Sequence, residues 1–253
     1  MPSILNKVSQ HFAEEPTAKY VCPTCNKGEL IPQKSSFSVT EPPFSKNAHS
    51  HEAWDPDWIE YRFNYICVCD RAGCGETAHV AGSGSVDQRY DENYDAEYYD
   101  SFRIHSFFPV PNIIQVPDDA PLEVDSLLKK CFALFWVDLS AASNAMRASL
   151  EALLDELKIP ATKLNKKKQN VRLNLHQRLD IWSKHEKEYA ELCVALKEVG
   201  NLGSHGETVR EKHFFGALEI YSHVLSQLYE NEAEKMKALA KKIRDEIKGK
   251  KEP

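Results

Sequence analysis

Two cysteine-containing segments constrain the fold of this 253-residue chain more than any other feature. The first segment is Cys22-Pro23-Thr24-Cys25, and the second, about forty residues later, runs from Cys67 to Gly75 with the sequence CVCDRAGCG. A tight turn between paired cysteines lets two thiolates converge on one metal ion, and zinc takes four such ligands in a tetrahedron with Zn–S distances of about 2.3 Å. The spacing therefore predicts a metal site that ties the two segments together.

Five cysteines in these segments compete for the four ligand positions of a zinc ion. We predict that the ligands of a structural Zn2+ are Cys22, Cys25, Cys69 and Cys74. Because Cys69 lies at the end of its strand-like run, where the chain must turn, Cys67 is the expected spare thiol; the alternative in which Cys67 replaces Cys69 stays open. A site closed by four thiolates leaves no position for a reacting water, which favours a structural metal over a catalytic one.

Other interpretations of these residues remain open at the level of sequence. The cysteines could be buried free thiols, or Cys22 and Cys25 could form a redox pair. The two paired segments with their glycines favour zinc, because a lone Cys-x-x-Cys is a much weaker signal. His49, His51 and His79 are further candidate ligands, but we expect these histidines on the surface or in strands.

The N-terminal segment and the hydropathy pattern bear on the compartment. Residues 1–15 lack the charged, apolar and small-residue order of a secretion signal. We therefore expect a cytoplasmic protein, in which thiols stay reduced and clustered cysteines bind metals rather than form disulfides. No apolar run approaches the ~18 residues that a membrane-spanning helix needs, so we expect no membrane contact.

The two halves of the chain differ in charge and in pattern. Residues 1–115 hold 9 Lys and Arg against 16 Asp and Glu, a net charge of −7, whereas residues 116–253 hold 23 against 22, a net charge of +1. Aromatic and polar residues alternate over 61–66 and 102–108, which predicts half-buried strands. The acidic, tyrosine-rich segment Asp87–Asp100 between them is expected to be a solvated loop. We predict a zinc-ribbon-like β module over residues 1–115, with a proline-rich linker at Pro109–Pro121.

The pattern becomes helical from Pro121 onward, where apolar residues recur at spacings of three and four. Helices are predicted over Asp138–Ile159 and over roughly 121–135, 173–183, 184–199 and 209–248. Two Ser/Thr-x-x-Glu capping boxes, Ser183–Glu186 and Thr208–Glu211, mark the starts of the last two. The predicted fold class is therefore α+β: a small zinc-binding β module followed by an all-α helical bundle over residues 116–253.

A group of polar residues stands out in the helical half. Arg147 and Glu151 are four residues apart and so share one face of a predicted helix. Asn201 and His205 lie at a glycine-rich helix exit. We favour a structural interpretation, in which Arg147 pairs with Glu151 while Asn201 and His205 cap the helix end, because most buried polar clusters are structural. The alternative is an RNA-phosphate site with His205 as general base and Arg147 holding the phosphate.

These residues also carry a resemblance. The sequences NAMRASLE at 144–151 and VGNLGSH at 199–205, with the preceding proline-rich approach and cysteine knuckle, resemble the bacterial domain-of-unknown-function family 4145 over roughly residues 100–230. That family is similar to the HEPN superfamily of helical domains, many of which are metal-independent ribonucleases of defence and toxin systems. The resemblance implies a HEPN-like bundle. The HEPN motif is Arg-Asn, three residues, then His; Asn201 and His205 match, but Gly200 occupies the arginine position, which argues against carrying over the nuclease activity.

One basic run in the helical half contains no acidic residue. Its members are Lys163, Lys166, Lys167, Lys168 and Arg172. We predict that this inter-helix loop contacts the phosphate backbone of a nucleic acid. Because no aromatic residue is interleaved with the lysines, base stacking is not expected there.

The sequence thus predicts a non-enzymatic, zinc-containing binding or assembly protein in a bacterial or phage nucleic-acid-related process such as defence. Its expected partners are nucleic acid or a nucleic-acid-processing protein, with a homodimer formed through the helical domain. The alternative is a metal-independent HEPN-type endoribonuclease that uses His205.

Overall fold

The computed structural model describes residues 8–90, 95–204 and 208–230, together with residue 244. It is a mixed α+β structure in which an N-terminal antiparallel sheet precedes a helical region, as predicted at that level. The strands are β1 His11–Ala13, β2 Tyr20–Val21, β3 Glu29–Pro32, β4 Ser38–Thr40, β5 Glu60–Cys69, β6 Thr77–Tyr90, β7 Ala96–Phe108, β8 Thr162–Leu164 and β9 Asn170–Arg172. The α-helices are α1 Pro43–Ala48, α2 Leu122–Phe135, α3 Leu139–Glu156, α4 Leu175–Trp182, α5 Lys187–Ser204 and α6 Glu211–Tyr229.

The main sheet is antiparallel throughout and curls around an aromatic core. Its strand order is β1-β7-β6-β5-β3-β2, with β4 paired to β5 beside β3. Phe12 of β1 packs edge-on against Phe63 of β5, with ring centroids 5.2 Å apart, and stacks on Phe102 of β7 at 5.1 Å. A Cβ on Gly82 would lie 2.7 Å from the Phe63 ring, and one on Gly84 would lie 2.5 Å from the Phe102 ring. These two glycines therefore let β6 pass close over the rings.

The prediction of a loop at Asp87–Asp100 is wrong for the described part of that segment. Strand β6 continues to Tyr90 and β7 begins at Ala96, so the two strands form a ribbon beyond the rest of the sheet. Cross-strand pairs hold it: the Arg89 Nε lies 2.8 Å from Glu97 Oε2, and the Arg89 guanidinium lies over the Tyr99 ring. Both faces of this ribbon contact water, so the segment lacks the alternation by which strands are recognised.

The sheet and the helices share a packed interface. Trp136, at the end of α2, has 1% of its surface exposed and packs against Tyr20 of β2 and Phe107 of β7, with ring centroids 5.6 and 5.2 Å apart. The intervening proline-rich segment is itself packed, since Ile113 and Ile114 are buried. The strands of the main sheet end at Phe108 and the next helix begins at Leu122; the proposed division into 1–115 and 116–253 stays a prediction.

The predicted capping boxes are wrong, although helices lie near both positions. Ser183 follows the last residue of α4, and its hydroxyl donates to the Asp180 carbonyl, so α5 begins only at Lys187. Helix α6 begins at Glu211, with no side-chain hydrogen bond at its N-terminus. The observed capping box is instead Asn174 with Gln177, at the start of α4. None of the helices in the described ranges combines the length and apolarity needed to span a bilayer.

The helical half is not all-α, because a two-stranded hairpin, β8–β9, interrupts it between α3 and α4. The Asn165 side chain accepts hydrogen bonds from the amides of Lys167 and Gln169, and Lys168 adopts a φ of 58°. These interactions close the turn. Both strands are exposed along their whole length, so no hydrophobic alternation in the sequence indicates them.

Candidate functional site

Four of the cysteines come together at the ends of two neighbouring hairpins. Cys22 directly follows β2 and Cys25 lies in the turn before β3, whereas Cys69 ends β5 and Cys74 lies in the turn before β6. Strand β3 pairs with β5 so that Leu30 lies opposite Cys69. This register brings the two turns side by side, and the four sulfur atoms lie within 4.8 Å of one another.

The spacing of the sulfur atoms fits a single tetrahedral ion. The Cys22 and Cys74 Sγ atoms are 3.8 Å apart, and so are those of Cys25 and Cys69. A regular tetrahedron with metal–sulfur bonds of about 2.3 Å places its ligand atoms about 3.8 Å from one another. The cluster is therefore compatible with a metal site with four sulfur donors, formed by the same four cysteines that the sequence analysis selected.

Backbone groups shape the first turn of the cluster. The Gly28 amide donates to the Cys25 Sγ at 3.3 Å, and the Cys22 amide donates to the Gly28 carbonyl at 2.9 Å. A Cβ on Gly28 would lie 2.6 Å from the Cys69 sulfur, so only glycine allows this approach. Amides of Lys27 and Gly28 lower the pKa of the Cys25 thiol to about 6, which favours the thiolate that binds metal.

Cys67 and the three candidate histidines lie outside this cluster. Cys67 is fully buried in β5, and burial raises the pKa of its thiol to about 12. His49 pairs with Glu41 through its Nε2 at 2.8 Å, and His51 packs against the Trp58 ring. His79 is exposed on β6. The buried thiol and the surface histidines thus have surroundings unlike that of the cluster.

The second predicted site gathers around Arg147 of α3. Its NH1 donates to the Asn201 Oδ1 of α5 at 2.9 Å, and its Nε lies 3.5 Å from Glu151 Oε1. The other Glu151 oxygen lies 3.8 Å from Arg172 of β9. Glu151 therefore lies between two guanidinium groups, one at the end of α5 and one at the base of the hairpin. His205 lies outside the described residues.

Glycines in α5 explain why Arg147 can reach Asn201. A Cβ on Gly200 would lie 2.7 Å from the Arg147 Cβ, and one on Gly203 would lie 2.6 Å from the Ser140 carbonyl oxygen. The two helices consequently approach closely along this line. Gly200 thus provides the space in which the aliphatic stem of Arg147 runs.

The basic run predicted as a nucleic-acid contact forms the adjoining hairpin. Lys163 lies on β8, Arg172 ends β9, and Lys166, Lys167 and Lys168 form the turn between these strands. All five residues are exposed, and 84% of the Arg172 side chain is accessible. Arg172, at the end of the hairpin, and Arg147 thus border one cleft of about 460 Å³ on α3, α4 and β9.

Sequence analysis missed Arg178, a buried arginine that lines this cleft and pairs with the exposed Asp155. Arg178 of α4 is 4% exposed and pairs with Asp155 at 2.6 Å, and its guanidinium also donates to the carbonyls of Glu151 and Ile159. The only hint in the sequence is that Arg178 shares one helix face with the apolar residues Leu175, Leu179 and Trp182. This pair anchors the end of α3 to α4 and so fixes the cleft walls.

The close approach at Gly200 leads to a prediction. Gly200→Ala should lower the free energy of unfolding by roughly 1–2 kcal/mol, because the new Cβ collides with the Arg147 stem. Gly216→Ala is the matched control: Gly216 is also inside a helix but has open space, so alanine should raise stability by about 0.5–1 kcal/mol. Urea unfolding of both variants checks this; equal stabilisation by both would contradict the contact.

Comparison with known families divides the chain in the same way as its strands and helices. Residues 129–246 match the family model described as "Domain of unknown function (DUF4145)", which confirms the resemblance seen in the sequence over that part of the chain. Residues 10–109 match a second model, "Domain of unknown function (DUF8608)". No curated protein and no solved structure matches the chain. The chain is thus similar to two families that carry no assigned function.

Proposed function

We propose that this protein is a non-enzymatic, zinc-containing binding protein that contacts nucleic acid through its helical half, in a bacterial or phage process such as defence. The observation that carries the proposal is the position of Glu151 between Arg147 and Arg172. It connects the Asn201 end of α5, through Arg147, with the lysine-rich β8–β9 hairpin, through Arg172. A cytoplasmic location and a homodimer through the HEPN-like helical domain belong to the same proposal.

Zinc is the metal that best suits the cysteine cluster. Thiolates are donors that zinc prefers, and the sulfur–sulfur distances of 3.8 Å match the edges of a tetrahedron around it. Magnesium and calcium instead require oxygen donors. Four protein ligands leave no position for substrate or water, so the role proposed for the ion is structural. Its binding free energy would stabilise the zinc-ribbon-like module.

The hairpin is the part of the helical half best suited to meet a phosphate backbone. Its turn places three consecutive lysines in solvent, with no acidic residue between Lys163 and Arg172. Neutralising phosphates with such side chains releases counterions, which supports binding that is insensitive to sequence. The whole chain has a net charge of −6, so binding of a polyanion depends on local clusters of positive charge such as this hairpin.

A second function, a metal-independent HEPN-type endoribonuclease, is favoured by one observation. The Arg147 guanidinium contacts Asn201 across Gly200, so an arginine from α3 lies beside the residue that the HEPN motif places next to its own arginine. In this mechanism His205 would take a proton from the ribose hydroxyl and Arg147 would hold the phosphate. The Glu151 carboxylate, 3.5 Å from Arg147, opposes the role by neutralising that charge.

The zinc proposal predicts one zinc ion per chain in the purified protein. Cys22→Ser and Cys74→Ser should each release the ion and lower the melting temperature, because metal binding is coupled to folding in such modules. Cys67→Ser is the matched control and should retain full stoichiometry. Elemental analysis after gel filtration measures the outcome. Loss of zinc from Cys67→Ser, or full retention in both ligand variants, would refute the assignment.

The nucleic-acid proposal predicts that the hairpin lysines dominate RNA binding. The triple variant K166A/K167A/K168A should weaken binding of a labelled single-stranded RNA at least tenfold and reduce the salt-dependence slope by about 2, at ~0.7 per phosphate. The matched control K129A/K130A/K184A removes the same charge from exposed positions on α2 and in the turn after α4. Fluorescence anisotropy at several salt concentrations gives both quantities; equal losses in the two variants would indicate nonspecific attraction only.

The two candidate functions are separated by His205→Ala. The binding proposal predicts that magnesium-free wild-type protein leaves RNA intact, and that the variant loses about 1–3 kcal/mol of stability, since it lacks the helix-capping role predicted for His205. Gel analysis of RNA and melting curves of both proteins test this. Cleavage by wild type that disappears in a variant of unchanged melting temperature would establish the nuclease instead.

A further inference from the structure

The outer face of the main sheet carries a row of basic side chains. Strand pairing aligns Arg62 of β5 with Ser83 of β6, Ser83 with Arg103 of β7, and Arg103 with His11 of β1. Arg62, Arg103 and His11 are all exposed, whereas their neighbours Phe63, Phe102 and Ile104 are buried in the aromatic core or beside it. The row therefore faces solvent on the side opposite to the core.

A β-bulge adds a fourth basic group to this row. Ala81 pairs with Ser106 but the next residue, Gly82, pairs with Ile104, so His105 is the extra residue on β7. As a result His105 and Ser106 are both exposed although they are adjacent in sequence. The bulge aims the imidazole back over β6, where its Nε2 lies 2.8 Å from the Ser83 hydroxyl. Bulges are used in this way to redirect functional side chains.

The bulge also borders a shallow depression of about 520 Å³. Its floor is made of the small residues Ala81, Gly82 and Ser83. Glu60 and Arg62 form one wall, and His105 and Ser106 form the other. Since neighbouring strands lie about 4.8 Å apart, the backbones of Arg62 and Arg103 are roughly 10 Å apart across Ser83, a separation that two arginine side chains can close over one tetrahedral anion.

The positive charge of this face is only partly compensated. Arg62 pairs with Glu60 at 3.1 Å and lies 6.0 Å from the Phe44 ring centre. Arg103 forms no ion pair with any residue in the described ranges, and neither does His11. Partial burial lowers the pKa of His105, and the nearby Arg103, His11 and Arg62 lower it further. The imidazole thus lies in a positive field that an anion would relieve.

We propose that this depression binds a phosphate-type oxyanion between Arg62 and Arg103, with hydrogen bonds from the Ser83 hydroxyl and the His105 imidazole. Guanidinium groups match phosphate oxygens with paired, charge-assisted hydrogen bonds. The phosphate could belong to a nucleic-acid backbone or to a small phosphorylated molecule, since both present the same group. The site lies on the sheet rather than on the β8–β9 hairpin, so it does not rest on the function proposed above.

The test follows the His105 imidazole by NMR in the full-length protein, with its signal identified by its loss in His105→Gln. Inorganic phosphate, compared with chloride at equal ionic strength, should raise the pKa of His105, because a bound anion stabilises the imidazolium.

Arg103→Ala should weaken phosphate binding roughly tenfold, since one charge-assisted contact is lost. Glu60→Gln should tighten it, because a competing carboxylate is neutralised. Arg89→Ala, which removes an exposed arginine from the distal ribbon, is the matched control and should change nothing.

A second titration with a short single-stranded oligonucleotide distinguishes the two sources of the phosphate. If the oligonucleotide displaces phosphate from the site, the proposal holds and the natural ligand is a nucleic-acid backbone. If phosphate binds and the oligonucleotide does not displace it, the proposal holds for a small phosphorylated molecule. An unchanged pKa of His105 in phosphate, or equal losses of binding in Arg103→Ala and Arg89→Ala, overturns it.

Discussion

The strand register that brings four cysteine sulfur atoms within 4.8 Å of one another also positions the end of the sheet against which the helices pack. The turns meet only when Leu30 of β3 lies opposite Cys69 of β5. That register also positions β2, whose Tyr20 packs against Phe107 and Trp136. The cysteine cluster is therefore connected through one short strand and one aromatic contact to the start of the helical half. Disrupting the cluster should therefore destabilise that interface as well as the two turns.

In the helical half the corresponding constraint is the close approach of α3 and α5. Gly200 and Gly203 allow the backbones to come together, and Arg147 lies in the resulting space against Asn201. Buried Arg178 of α4 then pairs with the exposed Asp155 and holds α4 against the end of α3, near the base of the β8–β9 hairpin. The Arg147–Asn201 and Arg178–Asp155 contacts thus position a basic surface. The turn of the β8–β9 hairpin is the most exposed part of that surface. This arrangement suits a binding surface, because the charged groups that reach solvent lie on the turn while those beneath it are paired.

Part of this arrangement could be predicted from sequence, for reasons that differ between elements. The cysteine pairs were recognisable because their spacing and following glycines are dictated by local turn geometry. The helices were recognisable because each buries one apolar stripe.

The ribbon at Asp87–Tyr90 and the β8–β9 hairpin were missed because strands exposed on both faces carry no alternation. The assumed cap at Ser183 failed because the preceding short helix ends there and uses its hydroxyl. Bulge formation at His105 depends on the register between strands, which no local pattern encodes.

The most direct test of the central claim, that four thiolates close one structural zinc site, is X-ray absorption spectroscopy of the zinc-containing full-length protein. The account predicts a first shell of four sulfur atoms at about 2.3 Å with no nitrogen or oxygen ligand. A shell with a histidine nitrogen, a water oxygen or fewer than four sulfur atoms would contradict it.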